Sequence, residues 1–333
     1  MKQNLHTHTT YCDGNNSIKE LIHSAFLRDF DVLGISGHSF TEFDTSYCMS
    51  QEGLIDYLDE ITEAKRFLEE DPEAAKYYFA PEIVNAGDLR LYLGIEQDIY
   101  SERPSLRKQQ GLLNPGFRYG TYDYIIGSTH ALFIKRDELE DRLFAVGDPE
   151  KIHVDGIVFS EHGIYVYVDY SPGALKWAFD NVYKGDLMAL AEAYFRDEAL
   201  VVSKTDCDIV GHFDLLLKFN ESVRMFDEQD PRYKKARDAA LESIFEDFRI
   251  KGRRPLFEVN TGAMAKNYRT DPYPSEETVK IIRNMGGSFL INSDCHRAEL
   301  LDFGFKEAKD LLLRTGFRNE LMDVPGGKLE IFE

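Results

Sequence analysis

A chain of 333 residues, 43% hydrophobic and 29% charged, holds enough apolar material for a full core, which excludes a disordered polypeptide. Its 39 basic and 59 acidic side chains leave a formal charge of -20, a surface that repels phosphodiester backbones, so no nucleic-acid partner is expected. No run approaches the ~18 apolar residues of a membrane span, Met1-Lys2-Gln3-Asn4-Leu5-His6 lacks an apolar leader core, and Cys12, Cys48, Cys207 and Cys295 show no paired spacing; the expectation is a cytoplasmic protein, without membrane partner or disulfides.

In chain order, short apolar and β-branched runs predict strands over 4–7, 32–36, 91–96, 124–128, 209–212, 256–260 and 289–292. Helical patterns fall between or after them, over 17–28, 54–70, 187–195, 233–251, 275–285 and 305–314. Ser17-Ile18-Lys19-Glu20 opens the first as a capping box, Ser275 opens the fifth as an N-cap, and Gly286-Gly287 closes it. Strand alternating with helix is the rhythm of a parallel α/β fold, here one barrel domain over 1–333. Long insertions near 97–122 and 131–204 are expected to wall a substrate site. Residues 319–333 read equally as a terminal strand or an intersubunit contact, and the oligomeric state stays open.

Six of the nine histidines, His6, His8, His38, His130, His212 and His296, sit at or just beyond the ends of predicted strands. In His6-Thr7-His8 the spacing of two turns both imidazoles to one face of a strand, where they can chelate one ion. Asp13 follows in the next turn, while Glu96 and Asp294 are acids in apolar contexts where an unpaired carboxylate would be costly. Every predicted strand except the sixth delivers a nitrogen or oxygen ligand near its C-terminal end, as a polynuclear metal centre at one rim of a barrel requires. His23, His153 and His162 lack such flanks and read as structural, and Cys295 reads as a small buried filler rather than a ligand or nucleophile.

These residues resemble the polymerase and histidinol phosphatase (PHP) family of metal-dependent phosphoesterases. The motif His6-Thr7-His8-Thr9-Thr10-Tyr11-Cys12-Asp13-Gly14 opens the likeness, and Ser293-Asp294-Cys295-His296 closes it. Gly211-His212-Phe213-Asp214-Leu215 and Glu258-Val259-Asn260-Thr261-Gly262, followed by Tyr273-Pro274, are similar to the stand-alone histidinol-phosphatase branch. The resemblance implies an α/β fold, a distorted (β/α)7 barrel with a metal centre at the C-terminal rim of its strands. It implies three divalent ions: His6, His8 and Asp294 hold the first, Glu96 bridges it to a second completed by His130 and His212, and Asp13, His38 and His296 hold the third. Mixed nitrogen and oxygen ligands suit Zn, Fe or Mn. Gly37 stands before His38 where relatives often carry an acid, and Ala265 stands where many carry a phosphate-binding Arg.

The activity implied is hydrolysis of L-histidinol phosphate to histidinol and phosphate in histidine biosynthesis. A hydroxide shared by two ions would attack phosphorus, with Lys266, Arg269 and Arg297 on the phosphoryl oxygens and Asp294 or His212 protonating the leaving group. Acids of the insertions, Glu102, Asp155 or Asp169, are candidates for the substrate's cationic groups. Nucleotides, oligonucleotides or sugar phosphates are the alternative substrates, a non-catalytic metal-binding scaffold is the alternative class, and an amidohydrolase barrel is the structural rival. The Asp294-Cys295-His296 ending argues against the last.

Overall fold

The computed structural model describes residues 1–83, 87–101, 122–139, 155–324 and 327–333. All seven expected strands are present: β1 (Gln3–Asn4), β2 (Val32–Ile35), β3 (Arg90–Asp98), β4 (Tyr124–Ser128), β8 (Ile209–Val210), β9 (Leu256–Asn260) and β10 (Ser288–Asn292). They pair in that order, each parallel to the next, within a nine-stranded sheet. The sheet curls until its first and last parallel strands meet just beyond their ends. Thr7 bridges Cys295, with His8 N–H donating to Cys295 O at 2.9 Å and Cys295 N–H to His6 O at 3.2 Å.

The curl sorts alternate residues onto two faces, as the pleat demands. Leu33, Ile35, Leu91, Ile95, Val259 and Phe289 pack in the larger core with the helices. Leu5, Val32, Tyr92, Tyr124, Leu256 and Leu290 form a second cluster, and the Tyr124 hydroxyl donates to Leu5 O. Continuing the second parity along β3 and β9 reaches Glu96 and Glu258, so one strand face changes from apolar to ionisable toward the C-terminal ends.

The expected helices appear at Ile18–Leu27, Gln51–Glu70, Leu187–Glu198, Pro231–Ile250, Glu276–Asn284 and Phe305–Arg314. The capping box of Ser17 and Glu20 is formed. Ser275 occupies its N-cap position but makes no side-chain cap bond; its hydroxyl meets Thr278 Oγ1 at 3.1 Å instead, and its backbone N–H donates to Asp214. Gly286, at φ +86°, closes that helix as expected.

One feature was not anticipated as an element. Part of the second insertion forms an antiparallel sheet of β5 (Ala131–Lys135), β6 (Ile157–Ser160) and β7 (Gly163–Tyr167) in the order β5-β7-β6. The C-terminal segment, expected as a terminal strand or an intersubunit contact, contains two strands: β11 (Asn319–Val324) and β12 (Gly327–Phe332) pair antiparallel, and β12 also pairs antiparallel to β10. Glu102, His153 and much of the first insertion lie outside the described residues.

Candidate metal centre

The strand ends carry all nine expected ligands to one place. Glu96 sits at the centre, 1% exposed, with its two oxygens facing different partners. Oε1 lies 2.9 Å from His212 Nε2 and 3.3 Å from His130 Nε2, and accepts from Ser128 Oγ at 2.6 Å. Oε2 lies 2.9 Å from His38 Nδ1, 3.2 Å from His6 Nε2 and 3.5 Å from His8 Nε2. Asp294 Oδ1 approaches His8 at 3.1 Å and His6 at 3.6 Å. Toward the mouth, Asp13 Oδ2 lies 3.1 Å from His296, and its Oδ1 lies 3.6 Å from both His38 and His8.

Four overlapping groups have ligand atoms within 4.8 Å of one another: His6, His8 and Asp294; His6, Glu96 and His212; His38, Glu96 and His130; and His8, Asp13, His38 and His296. The overlap at His8 and His38 is tighter than three separate ligand sets would require.

Electrostatics show what this cluster lacks. Burial alone would depress the basicity of His6, yet the carboxylates of Glu258, Glu96 and Asp294 raise it well above the ordinary imidazole value. His130 and His38 are likewise raised against burial, chiefly by Glu96. Burial and the neighbouring His296 and His38 push His8 down to about 3. Burial works against ionisation of Glu96, Asp294 and Asp13, but the surrounding imidazoles hold all three below the usual carboxylate range. Four buried atoms of the cluster, His6 Nε2, His8 Nε2, Glu96 Oε2 and His212 Nδ1, have no hydrogen-bond partner among the described residues. Orphaned donors of mixed nitrogen and oxygen type, converging on negative charge, fit divalent cations.

Glycines let the chain close over this site. A Cβ on Gly14 would lie 2.4 Å from the carbonyl carbon of His8, so only glycine lets the Asp13 turn fold back onto the ligand strand. At Gly37 a Cβ would meet Cys12 Sγ at 3.1 Å, a tight contact to which the thiol would have to yield. Cys295 matches its expected role: it is 2% exposed, and burial pushes its thiol up to about 12.

Three supporting residues escaped the sequence reading. Glu258, fully buried on the sixth parallel strand, holds His6 Nδ1 at 3.0 Å and accepts from His212 N–H at 2.8 Å. Asp98 holds His130 Nδ1 at 3.1 Å. Such partners orient imidazoles and raise their basicity toward a metal. A glutamate inside the apolar run Leu256-Phe257-Glu258-Val259 was the available signal, of the same kind as Glu96.

The third missed residue, Lys218, lines a cavity of about 290 Å³ that opens beside Asp13, His38, His130, His212, Asp294 and His296. Of the basic residues expected on phosphate, Lys266 also lines it, whereas Arg269 and Arg297 do not. Arg269 donates to the carbonyls of Leu217 and Asp271 and covers the Tyr273 ring, and Arg297 pairs with Glu299 on the surface. Asp169 lines the cavity, but its carboxylate pairs with Lys218 at 3.0 Å; Asp155 is exposed and is not part of the lining.

Among solved structures, the chain is similar to a candidate histidinol phosphatase, HisK, from Listeria monocytogenes, at 18% identity and a TM-score of 0.61 over 92% of this chain and 99% of that one. It is also similar to histidinol phosphate phosphatase HisK from Lactococcus lactis subsp. lactis Il1403, solved with Zn, L-histidinol and phosphate, at 14% identity and a TM-score of 0.56 over 98% of each chain. Among curated proteins none matches it in sequence. At these identities the neighbours establish a shared fold. The PHP domain profile matches residues 4–261, more than three quarters of the chain, and the chain therefore belongs to the PHP domain family.

Proposed function

We propose that this protein is a phosphomonoesterase dependent on divalent metals that hydrolyses L-histidinol phosphate to histidinol and phosphate, a step of histidine biosynthesis. The observation that carries the proposal is the convergence of nine nitrogen and oxygen ligands, Glu96 and eight others, beside a small cavity that two lysines line. We read the curled sheet as a distorted (β/α)7 barrel forming one domain over 1–333, with the centre at its C-terminal rim. Three ions, with Zn, Fe and Mn as the candidates, would be held by the sets anticipated from the motifs: His6, His8, Asp294 and Glu96; Glu96, His130 and His212; Asp13, His38 and His296. When bound, they would supply Lewis acidity toward the phosphoryl group and a water ionised near neutral pH.

The remaining work belongs to the side chains. Lys266 and Lys218 offer ammonium groups from the cavity wall to the phosphate oxygens, where fixed positive charge favours the more highly charged transition state. Asp294 and His212, the two residues expected to protonate the leaving alkoxide, both line the cavity; Asp294 is held ionised by its imidazoles, so it would have to take up a proton before passing one on. Four free cysteines accord with a reducing cytosol. Among the described residues, no helix is long and apolar enough to cross a membrane.

Metal analysis of the purified protein, paired with steady-state kinetics on histidinol phosphate, tests the proposal. Phosphate release should stop on chelation, return with added divalent ion, and exceed turnover of nitrophenyl phosphate by orders of magnitude. Full activity after verified metal removal, or equal turnover of both esters, would overturn it.

A further inference from the structure

The cavity has two acids beyond the metal cluster, and their surroundings differ. Asp169 is already neutralised by Lys218. Asp44 has no basic partner among the described residues. Its Oδ2 accepts from the Tyr167 hydroxyl at 3.0 Å and its Oδ1 from Ser46 N–H at 2.9 Å, both neutral donors that fix the carboxylate without cancelling its charge.

The loop carrying Asp44 is clamped in place. Phe43 stacks on Tyr165 of β7 at 3.7 Å with an interplanar angle of 5°, and Tyr47 sets its ring edge-on to Tyr167 at 5.7 Å and to the ligand His38 at 5.1 Å. Asp44, Tyr47 and Tyr167 thus form one continuous wall of the cavity, with an uncompensated carboxylate among aromatic rings. Carboxylate charge combined with aromatic faces is the chemistry that recognises an organic cation. Lys266, on another element of the same cavity, carries the opposite sign, while Lys218 is paired with Asp169.

We propose that Asp44, positioned by Tyr167 and walled by Tyr47, selects phosphate esters whose alcohol half carries a positive charge. The cavity is polarised: the anionic end of such an ester belongs at the metal cluster and lysines, and its ammonium or imidazolium end at Asp44. This rests on the phosphatase reading above and adds the residue that would set its substrate class.

The test measures kcat/KM for two cationic esters, histidinol phosphate and O-phosphoethanolamine, and two neutral ones, nitrophenyl phosphate and glycerol phosphate. Wild-type enzyme is compared with Asp44→Asn, Asp44→Glu and Tyr167→Phe, each checked for metal content and circular dichroism. In Asp44→Asn the cationic-to-neutral ratio should fall roughly 10- to 100-fold, the range expected for losing one charged hydrogen-bonding partner, with KM carrying most of the loss. Asp44→Glu should recover part of the ratio, and Tyr167→Phe should lower it by a smaller factor. An unchanged ratio in Asp44→Asn, or a wild-type enzyme indifferent to charge, overturns the inference even if histidinol phosphate is hydrolysed. If histidinol phosphate is not turned over, while O-phosphoethanolamine is preferred and that preference is lost in Asp44→Asn, the proposed substrate fails and the role of Asp44 stands.

Discussion

Both carboxylate oxygens of Glu258 are committed to the scaffold around His6 and His212. Besides the imidazole and the backbone N–H, they accept from Asn260 Nδ2 at 2.7 Å and Asn292 Nδ2 at 2.9 Å. Replacing the residue by glutamine keeps its shape but sets an amide donor against groups that already donate, and it removes the charge that supports His6. Glu258→Gln should therefore weaken metal affinity about 10- to 100-fold, read by chelator competition, while circular dichroism stays that of the wild type. Unaltered affinity would show that His6 needs no such support. At this scale the ligands were legible, because two-residue spacing on a strand and acids in apolar runs leave a local mark. Glu258 left the same mark, yet its strand was expected to contribute no ligand. Lys218 left none: it follows Leu215-Leu216-Leu217 like the solvated end of a turn, and its burial rests on the distant Asp169 and on the rings of Phe219 and Tyr268 beneath its ammonium.

The helix Leu187–Glu198 ends in two acids that burial drives toward their neutral forms. Asp197 accepts from the Tyr100 hydroxyl at 2.7 Å, which offsets only part of the cost. A carboxyl whose folded value lies above its unfolded one binds protons more tightly in the folded state. Stability is then greatest below the unfolded value and falls as pH rises through the folded one. Asp197→Asn, which can still accept from Tyr100, removes that decline. Thermal unfolding should show the variant at least as stable as the wild type at pH 8, with the difference shrinking toward pH 4; a variant less stable at pH 8 would refute the assignment. Among elements, the seven parallel strands were readable from compact apolar runs with helices between them. The small sheet was not, since Ala131–Lys135 pairs with a strand almost thirty residues away and lay hidden inside what looked like one insertion. The terminal hairpin had a strand-like pattern, but nothing in it indicated whether β10 or another molecule would take its edge.

At the scale of the whole molecule, the candidate ligands are spread along the chain between residues 6 and 296, so ion binding at this centre would be coupled to folding. Chelation should lower the melting temperature and make it depend on free metal. Re-addition at a thousand times the dissociation constant would return about 4 kcal/mol, and calorimetry that finds no shift after verified metal removal would deny the coupling. The bridge between Thr7 and Cys295 adds an order in time. It is a seam with His6 and His8 on one lip and Asp294 and His296 on the other, and the first lip is translated long before the second. A ribosome-bound nascent chain exposes half the ligand set long before the other half exists, and has no closed pocket in which to retain a cation. Ion capture by the full set would therefore wait until His296 has been added and the seam has formed, so that bound metal would mark a polypeptide whose two lips have met.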